Sequence, residues 1–248
     1  MILEYHRPDE IDEAIRLLLR KHPKTIPLAG GTTIQYQPED LAVVDLQALG
    51  LNQIVSNGVS AELGSMVTFQ QVMDWEDAPA ILVEAVHRGA TYNLRNQITM
   101  GGAVASNYSF SPLLAALLAL DAKLTWQPRE VIIQLGEWYP LRKSLHPGKL
   151  ITAVGVPINL RTAMEIISRT PGDTPQIIAC GCHWPSGRTR IVAMLKNHPP
   201  VLLSDGRDST GVELSALNLV GTKSIFSGDY IENSLKILID RVINRLQG

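Results

Sequence analysis

Two glycine pairs carry the chemistry that this sequence offers. One lies in LAGGTTIQ, residues 28–35, and the other in TMGGAVAS, residues 99–106. Glycine lets a ligand touch the main chain and permits positive φ. A loop built on it can aim several N–H groups at one phosphate oxygen, forming an anion nest. Neither pair is a G-x-G-x-x-G fingerprint, and no lysine follows to complete a Walker loop. Singly, each reads as a tight turn. Together they say more, because both follow apolar, strand-like runs and both have a threonine close by. Two facing nests of this kind suit a diphosphate, with backbone donors standing in for Lys and Arg.

Other chemistries find little support. Cys180 and Cys182, in QIIACGCHW, are the only cysteines. Strand alternation puts both on one face, and two thiols fall short of the four that usually hold an iron–sulfur cluster. They read as small buried residues. The six histidines form no HExxH or similar pair, so no protein metal site is expected. A net charge of −2 argues against nucleic acid or an anionic membrane as partner. No apolar run approaches the ~20 residues of a membrane span. The start MILEYHRPDE lacks the basic and apolar regions of a signal peptide, so a cytoplasmic location is expected.

The elements that must position the glycines follow from periodicity. With 248 residues, 45% of them hydrophobic, the chain has length for two or three packed subdomains. Pro8, Asp9 and Glu10 suit the first turn of a helix, and Ile11, Ala14, Ile15, Leu18 and Leu19 follow helical spacing. Residues 25–28 and 41–46 read as short buried strands, so residues 1–55 form an α/β unit of βαβ type. Further strands are expected at 54–55, 61–64 and 131–133, with a strand-like run before Gly101. Helices are expected after a Thr68 cap, near 80–86 and at 112–120. In the last, Ser111 and Pro112 make a cap and first-turn pair, and PLLAALLAL is apolar all round, as in a buried helix. This second unit, residues 56–158, ends in PGKLITAVGVP. The third, residues 159–248, holds hairpin strands around residues 185–188, a polar proline-rich loop at 197–208, and a closing helix at 229–246. His183 and Trp184 read as sheet residues facing opposite ways.

In order, LAGGTTIQ, LAVVDLQAL, AELGSMVTFQQV, LRNQITMGGAVAS, LLALDAKL, PGKLITAVGVP, MEIISRTPGD and SGDYIENSL resemble the FAD-binding subunit or domain of molybdenum hydroxylases. That family includes the medium subunit of aerobic carbon monoxide dehydrogenase and the flavin domain of xanthine dehydrogenase. The resemblance covers nearly the whole chain. It implies an α+β fold of two α/β FAD-binding subdomains followed by a C-terminal antiparallel sheet with helices. FAD would lie between the first two, its diphosphate on the glycine loops. Ala29, Gly30, Gly31, Thr32, Thr33 and Ile34 would line one side, and Thr99, Gly101, Gly102 and Ser106 the other. On this view the side chains are missing because a dinucleotide fills their space.

The implied role is electron transfer. In the family, molybdenum in a large subunit hydroxylates the substrate. Electrons then pass through iron–sulfur clusters of a small subunit to the flavin, and on to an external acceptor. The protein holds the flavin and tunes it by hydrogen bonds and local charge; no general base or nucleophile is needed, and none is evident here. Both subunits are implied partners, in a dimer of heterotrimers. Four positions depart from the family pattern. Ala103 stands for a usual Asn, Pro112 for an Asp that reaches an FAD ribose, and Ile166 for a lysine near the flavin. Met164 replaces an aromatic there. Ser111 would partly replace the Asp as a neutral hydrogen-bonding group. Tyr108 and Tyr92 flank the second pair and could stack on flavin or adenine, and Arg95 reads as a structural ion pair or carbonyl contact. A flavin-free scaffold subunit of the same fold and a stand-alone FAD reductase are the alternative readings.

Overall fold

The computed structural model describes residues 1–33, 40–106, 111–141, 148–170, 173–207, 212 and 227–248. The chain divides into two compact units. The first comprises Met1–Asp74, Thr91–Asn107 and Ala122–Val156, and the second Trp75–Ala90, Tyr108–Asp121 and Pro157–Gly248.

The first unit opens with β1 (Ile2–His6), α1 (Ile11–Leu18), β2 (Thr25–Leu28) and β3 (Leu41–Asp45). The strands pair in parallel in the order β1-β3-β2, giving the expected βαβ unit. β3 is buried throughout, as a central parallel strand should be. Ala14, Ile15 and Leu18 of α1 pack with Val44, Leu46 and Leu150. The helix starts at Ile11 rather than at Pro8.

A second sheet in this unit has the order β4-β5-β8-β6-β7, from β4 (Ile54–Ser56), β5 (Ser60–Gly64), β6 (Lys123–Gln127), β7 (Val131–Gln134) and β8 (Leu150–Pro157). Thr68 caps α2 (Phe69–Met73) through a capping box. Its hydroxyl accepts from the Gln71 N–H at 3.2 Å, and the Gln71 side chain accepts from the Thr68 N–H at 2.9 Å. β6 and α7 (Leu135–Leu141) were not anticipated from sequence.

The strand-like run before Gly101 is not a strand. It forms α4 (Tyr92–Arg95), closed by the Arg95 N–H donating to the Thr91 carbonyl at 2.9 Å. Gly101 and Gly102 then lie inside α5 (Met100–Ala105), not in a loop.

In the second unit, β9 (Arg161–Ile167), β10 (Ile177–His183), β11 (Thr189–Leu195) and β12 (Val201–Gly206) form an antiparallel sheet in the order β12-β11-β10-β9. α8 (Gly228–Gln247) covers one face: Ile231, Leu235, Leu238 and Val242 pack with Ile177, Ala179, Ile191 and Ala193. α3 (Ala80–Gly89) and α6 (Pro112–Ala119) pack on the sheet as well. All eight residues of α6 are buried. β12 corrects the expectation of a loop at 197–208. Prolines at 199 and 200 precede the strand, where a missing N–H breaks no ladder bond, and the short VLL run then pairs with β11. Trp184 likewise lies just past β10, in the turn, where the Arg188 guanidinium covers its ring at 4.9 Å.

Cys180 and Cys182 are buried on β10, and the Cys180 thiol donates to the Ala115 carbonyl at 3.5 Å. Burial pushes both thiols well above the ordinary cysteine range. Neither is expected to react with a disulfide reagent at neutral pH until the chain is unfolded, when both should titrate; a thiol count with and without denaturant checks this.

Candidate functional site

β2 delivers the first glycine pair. The strand ends at Leu28, whose carbonyl accepts the Leu46 N–H at 3.0 Å. Residues 29–33 follow as a half-buried loop. Gly31 has φ +71°, the left-handed region, and among the described residues a Cβ there would meet only Leu28 Cδ1, at 3.6 Å. Glycine is present for its backbone. Among the described residues, the N–H groups of Gly30, Gly31, Thr32 and Thr33 donate to no protein acceptor. Four consecutive donors around a left-handed residue are the ingredients of an anion nest.

The second pair is built differently. Thr99 is buried at 3% exposure and caps α5, its hydroxyl accepting the Gly102 N–H at 3.2 Å. The Gly101 N–H donates to the Ser65 carbonyl at 2.9 Å, and those of Met100 and Ala103 to Val67 and Thr99 carbonyls at 2.8 and 2.9 Å. The first turn of α5 has spent its donors, so the expected second nest does not form.

The glycines themselves serve close packing of backbone on backbone. A Cβ on Gly30 would fall 1.7 Å from the Gln97 carbonyl oxygen, and one on Gly101 would fall 2.5 Å from Ser65 Cβ. Protein, not ligand, fills the space of these two missing side chains. This corrects the sequence-based explanation at Gly30 and Gly101. The two segments nevertheless meet within the first unit: a Cβ on Gly102 would lie 3.9 Å from that of Ala29. Gly102 is exposed and adjoins Ala29, the residue that opens the first glycine loop.

The remaining candidates have mixed placements. Ser106 is half-buried and its hydroxyl donates to the Ala103 carbonyl at 2.8 Å. Ser111 takes the N-cap position of α6, in the second unit, without a side-chain cap bond. Ile34 and Tyr108 lie outside the described residues. Tyr92 is 63% exposed, with the Arg95 guanidinium 5.9 Å from its ring centroid. Ile166 is half-buried on β9, opposite Ile178. Close to the loop, Asp45 is buried and its carboxylate accepts from the Tyr5 hydroxyl and from the Gln47 N–H. That carboxylate is thereby held by the protein rather than left bare beside an anion.

Sequence reasoning missed Ser65 and Gln97, which touch the glycines. Their contacts are made by backbone and Cβ, which leave no mark on residue type. Gly64, in AELGSM, was the one available signal. Chemically, the described residues of the two glycine segments offer neutral donors and carry no charged side chain. Among the described residues no group of His, Cys, Asp and Glu is placed to hold a metal, and no helix is long and apolar enough to cross a membrane. N–H donors without an acceptor among the described residues, beside a left-handed glycine, fit the diphosphate of a dinucleotide such as FAD.

Comparison with known proteins gives the same direction. Over 135 residues the chain is 32% identical to YgfM of Escherichia coli strain K12, covering 53% of this chain and 52% of that protein. Over 170 residues it is 28% identical to the carbon monoxide dehydrogenase medium chain of Afipia carboxidovorans, covering 62% of this chain and 58% of that one. It thus spans about half the length of the curated relatives it matches. The fold superposes on a chain of carbon monoxide dehydrogenase from Hydrogenophaga pseudoflava with a TM-score of 0.79, covering 100% of this chain and 98% of the other at 18% identity. That identity speaks for fold alone. Residues 1–159, which include both glycine segments, match the family described as the FAD binding domain in molybdopterin dehydrogenase, and to that family the chain belongs.

Proposed function

We propose that this chain is the FAD-carrying, electron-transferring subunit of a molybdenum hydroxylase complex, with residues 30–33 receiving the FAD diphosphate. The observation that carries the reading is the row of four N–H donors, without an acceptor among the described residues, beside the exposed Gly102 in a chain of an FAD-binding family. Gly31 supplies the curvature, and Thr32 and Thr33 add hydroxyls at the same corner. Gly101 and Thr99 act from behind, by fixing the backbone that residue 30 leans on. When bound, FAD supplies electron storage and transfer; the chain's own part is to hold it, and no proton donor is called for.

Partners follow from the same reading: a small iron–sulfur subunit as electron source and a large molybdopterin subunit as catalyst. The carbon monoxide dehydrogenase medium chain, 28% identical over 170 residues, supports that assembly. A flavin-free scaffold subunit is the second reading. It is favoured by the spent donors of Gly101 and Gly102 and by Ala103 in place of a polar side chain.

FAD titration of the purified chain separates the two. Binding predicts a flavin band at roughly 450 nm and a stabilisation of about 2.7 kcal/mol at a hundredfold excess over Kd; no change in absorbance or melting supports the scaffold. A matched pair of variants then tests the nest. Asn and Asp both tolerate the left-handed backbone, and the site has room for a side chain. Gly31→Asn is expected to keep FAD within a few-fold of wild type, whereas Gly31→Asp sets a carboxylate beside a diphosphate and raises Kd on the order of a hundredfold. Equal effects of the two would remove the anion from this corner.

A further inference from the structure

The phosphate loop does not hold itself in place. Its donors have no acceptor among the described residues, and its firm contact is Gly30 against the Gln97 carbonyl. Gln97 is held in turn. The Ile98 carbonyl accepts the Phe69 N–H at 3.0 Å, the Met100 N–H donates to the Val67 carbonyl at 2.8 Å, and Gly101 donates to Ser65 while packing on its Cβ. Thr68 and Thr99 make an antiparallel bridge in the middle of this run. Segment 97–101 is therefore laid along segment 65–69.

Behind it comes one more layer. The Met66 N–H donates to the Leu51 carbonyl at 2.8 Å and the Gly64 N–H to the Gln53 carbonyl at 2.9 Å. A Cβ on Gly64 would fall 2.2 Å from the Leu51 carbonyl oxygen. The Ser65 N–H ties the same corner to Thr152 of β8, at 2.8 Å. Three of these close approaches, at Gly64, Gly101 and Gly30, exist only because a side chain is missing. They stack four backbone segments, residues 51–53, 64–69, 97–102 and 28–33, into one relay within the first unit.

The geometry points to Gly64 and Ser65 as positioning residues for cofactor binding, acting through the backbone of residues 97–101 on the phosphate loop. The inference rests on the reading that residues 30–33 receive the diphosphate. Interiors this closely packed transmit a shift instead of absorbing it, and a nest misplaced by about 1 Å loses its hydrogen-bond geometry.

Two variants and one control test it on the full chain. Gly64→Ala pushes against the Leu51 carbonyl. Ser65→Thr is milder and enlarges the side chain that already touches Gly101, so it decides the matter if Gly64→Ala does not fold. Leu124→Ala on β6, buried but outside the relay, controls for general loss of stability. FAD Kd should rise about tenfold or more in the relay variants and stay within twofold in Leu124→Ala at a comparable fall in Tm. The FAD-free protein gives an independent readout: the amide resonances of Gly30 and Gly31 should shift in Ser65→Thr while that of Gly58 does not. Wild-type Kd in a folded Ser65→Thr, or equal weakening by Leu124→Ala, overturns the inference. If wild-type protein binds no FAD, the proposed function fails by itself. The Gly30 and Gly31 resonances then decide the relay: shifts confined to residues near Gly101 overturn it.

Discussion

Gly30→Ala is expected to raise the FAD Kd by a factor on the order of 10² to 10⁴ while leaving a folded chain. The added Cβ would sit 1.7 Å from the Gln97 carbonyl oxygen, with the Gln97 carbonyl carbon at 2.6 Å and the Ile98 nitrogen at 3.5 Å. These are backbone atoms, so no rotamer change relieves the overlap. Either residues 28–33 or residues 97–98 must retreat by more than an ångström. The loop is half-buried and its N–H groups have no acceptor among the described residues, whereas residues 97–101 are anchored by several hydrogen bonds, so the loop yields. Overpacking of this kind costs about 1–3 kcal/mol, which a folded domain of ordinary stability survives. Binding suffers more. Two or more hydrogen bonds to a charged diphosphate, each worth about 1.5–3 kcal/mol, lose their geometry together. FAD titration alongside a denaturant melt measures both quantities. Near-normal affinity in the folded variant would show that the diphosphate does not sit on this loop.

Gly101 is a poorer probe of the cofactor than Gly30. From sequence, a larger residue there should act on the cofactor first. In the structure Gly101 is fully buried and its missing Cβ faces Ser65 Cβ, carbonyl oxygen and Cα at 2.5, 3.0 and 3.1 Å. A valine at this position strikes the fold as hard as the site, so its loss of binding would not identify a ligand contact. Gly31, with open space and a positive φ, is the sharper probe.

How far the sequence was readable depended on where each element draws its stability. The βαβ unit was legible because LAVVD is a continuous apolar run and α1 repeats at helical spacing. α6 was legible for the same reason, eight residues without a polar side chain, and so was the apolar stripe of α8. α4 and α5 were not. Thr91, Tyr92, Ile98 and Thr99 favour strands, and each helical glycine costs about 1 kcal/mol relative to alanine. α5 forms because Val67 and Ser65 carbonyls take the N–H groups of its first turn, a tertiary term that overrides local preference. The candidate site divides in the same way. Paired glycines announce that backbone comes close to something. Only the folded chain says whether that something is open space, as at Gly31, or a neighbouring carbonyl, as at Gly30.

In the second unit, Asp121→Ala is expected to be among the most destabilising single changes, by about 3–5 kcal/mol. Asp121 follows α6 and has φ +55°, a left-handed position that alanine tolerates poorly. Its carboxylate binds Arg190 of β11 and, at 2.9 Å, Arg188; the same two arginines reach Asp205 of β12, at 3.3 and 2.7 Å. Two cations and two anions thus tie the end of the buried helix to the sheet. The Arg190 side chain is only 8% exposed, so losing Asp121 leaves a buried guanidinium with one carboxylate, Asp205 at 3.3 Å, which it shares with Arg188. Asp121→Asn keeps the left-handed preference and a carbonyl acceptor, and should lose only about 1.5–3 kcal/mol. The pH dependence follows from Asp205. Its pKa is lowered, first by the hydrogen bond from Arg188 and then by the charges of Arg190 and Arg188. A carboxyl lowered by folding stabilises above its unfolded value of about 3.9, and that share is lost as pH falls through its folded value. Urea melts at neutral pH and near pH 3 would measure this: wild type should lose more stability in acid than Asp205→Asn, which has no carboxyl there to protonate. Equal stability of Asp121→Ala and wild type at neutral pH would mean that Arg190 is compensated elsewhere and that the four charges do not act as one clasp.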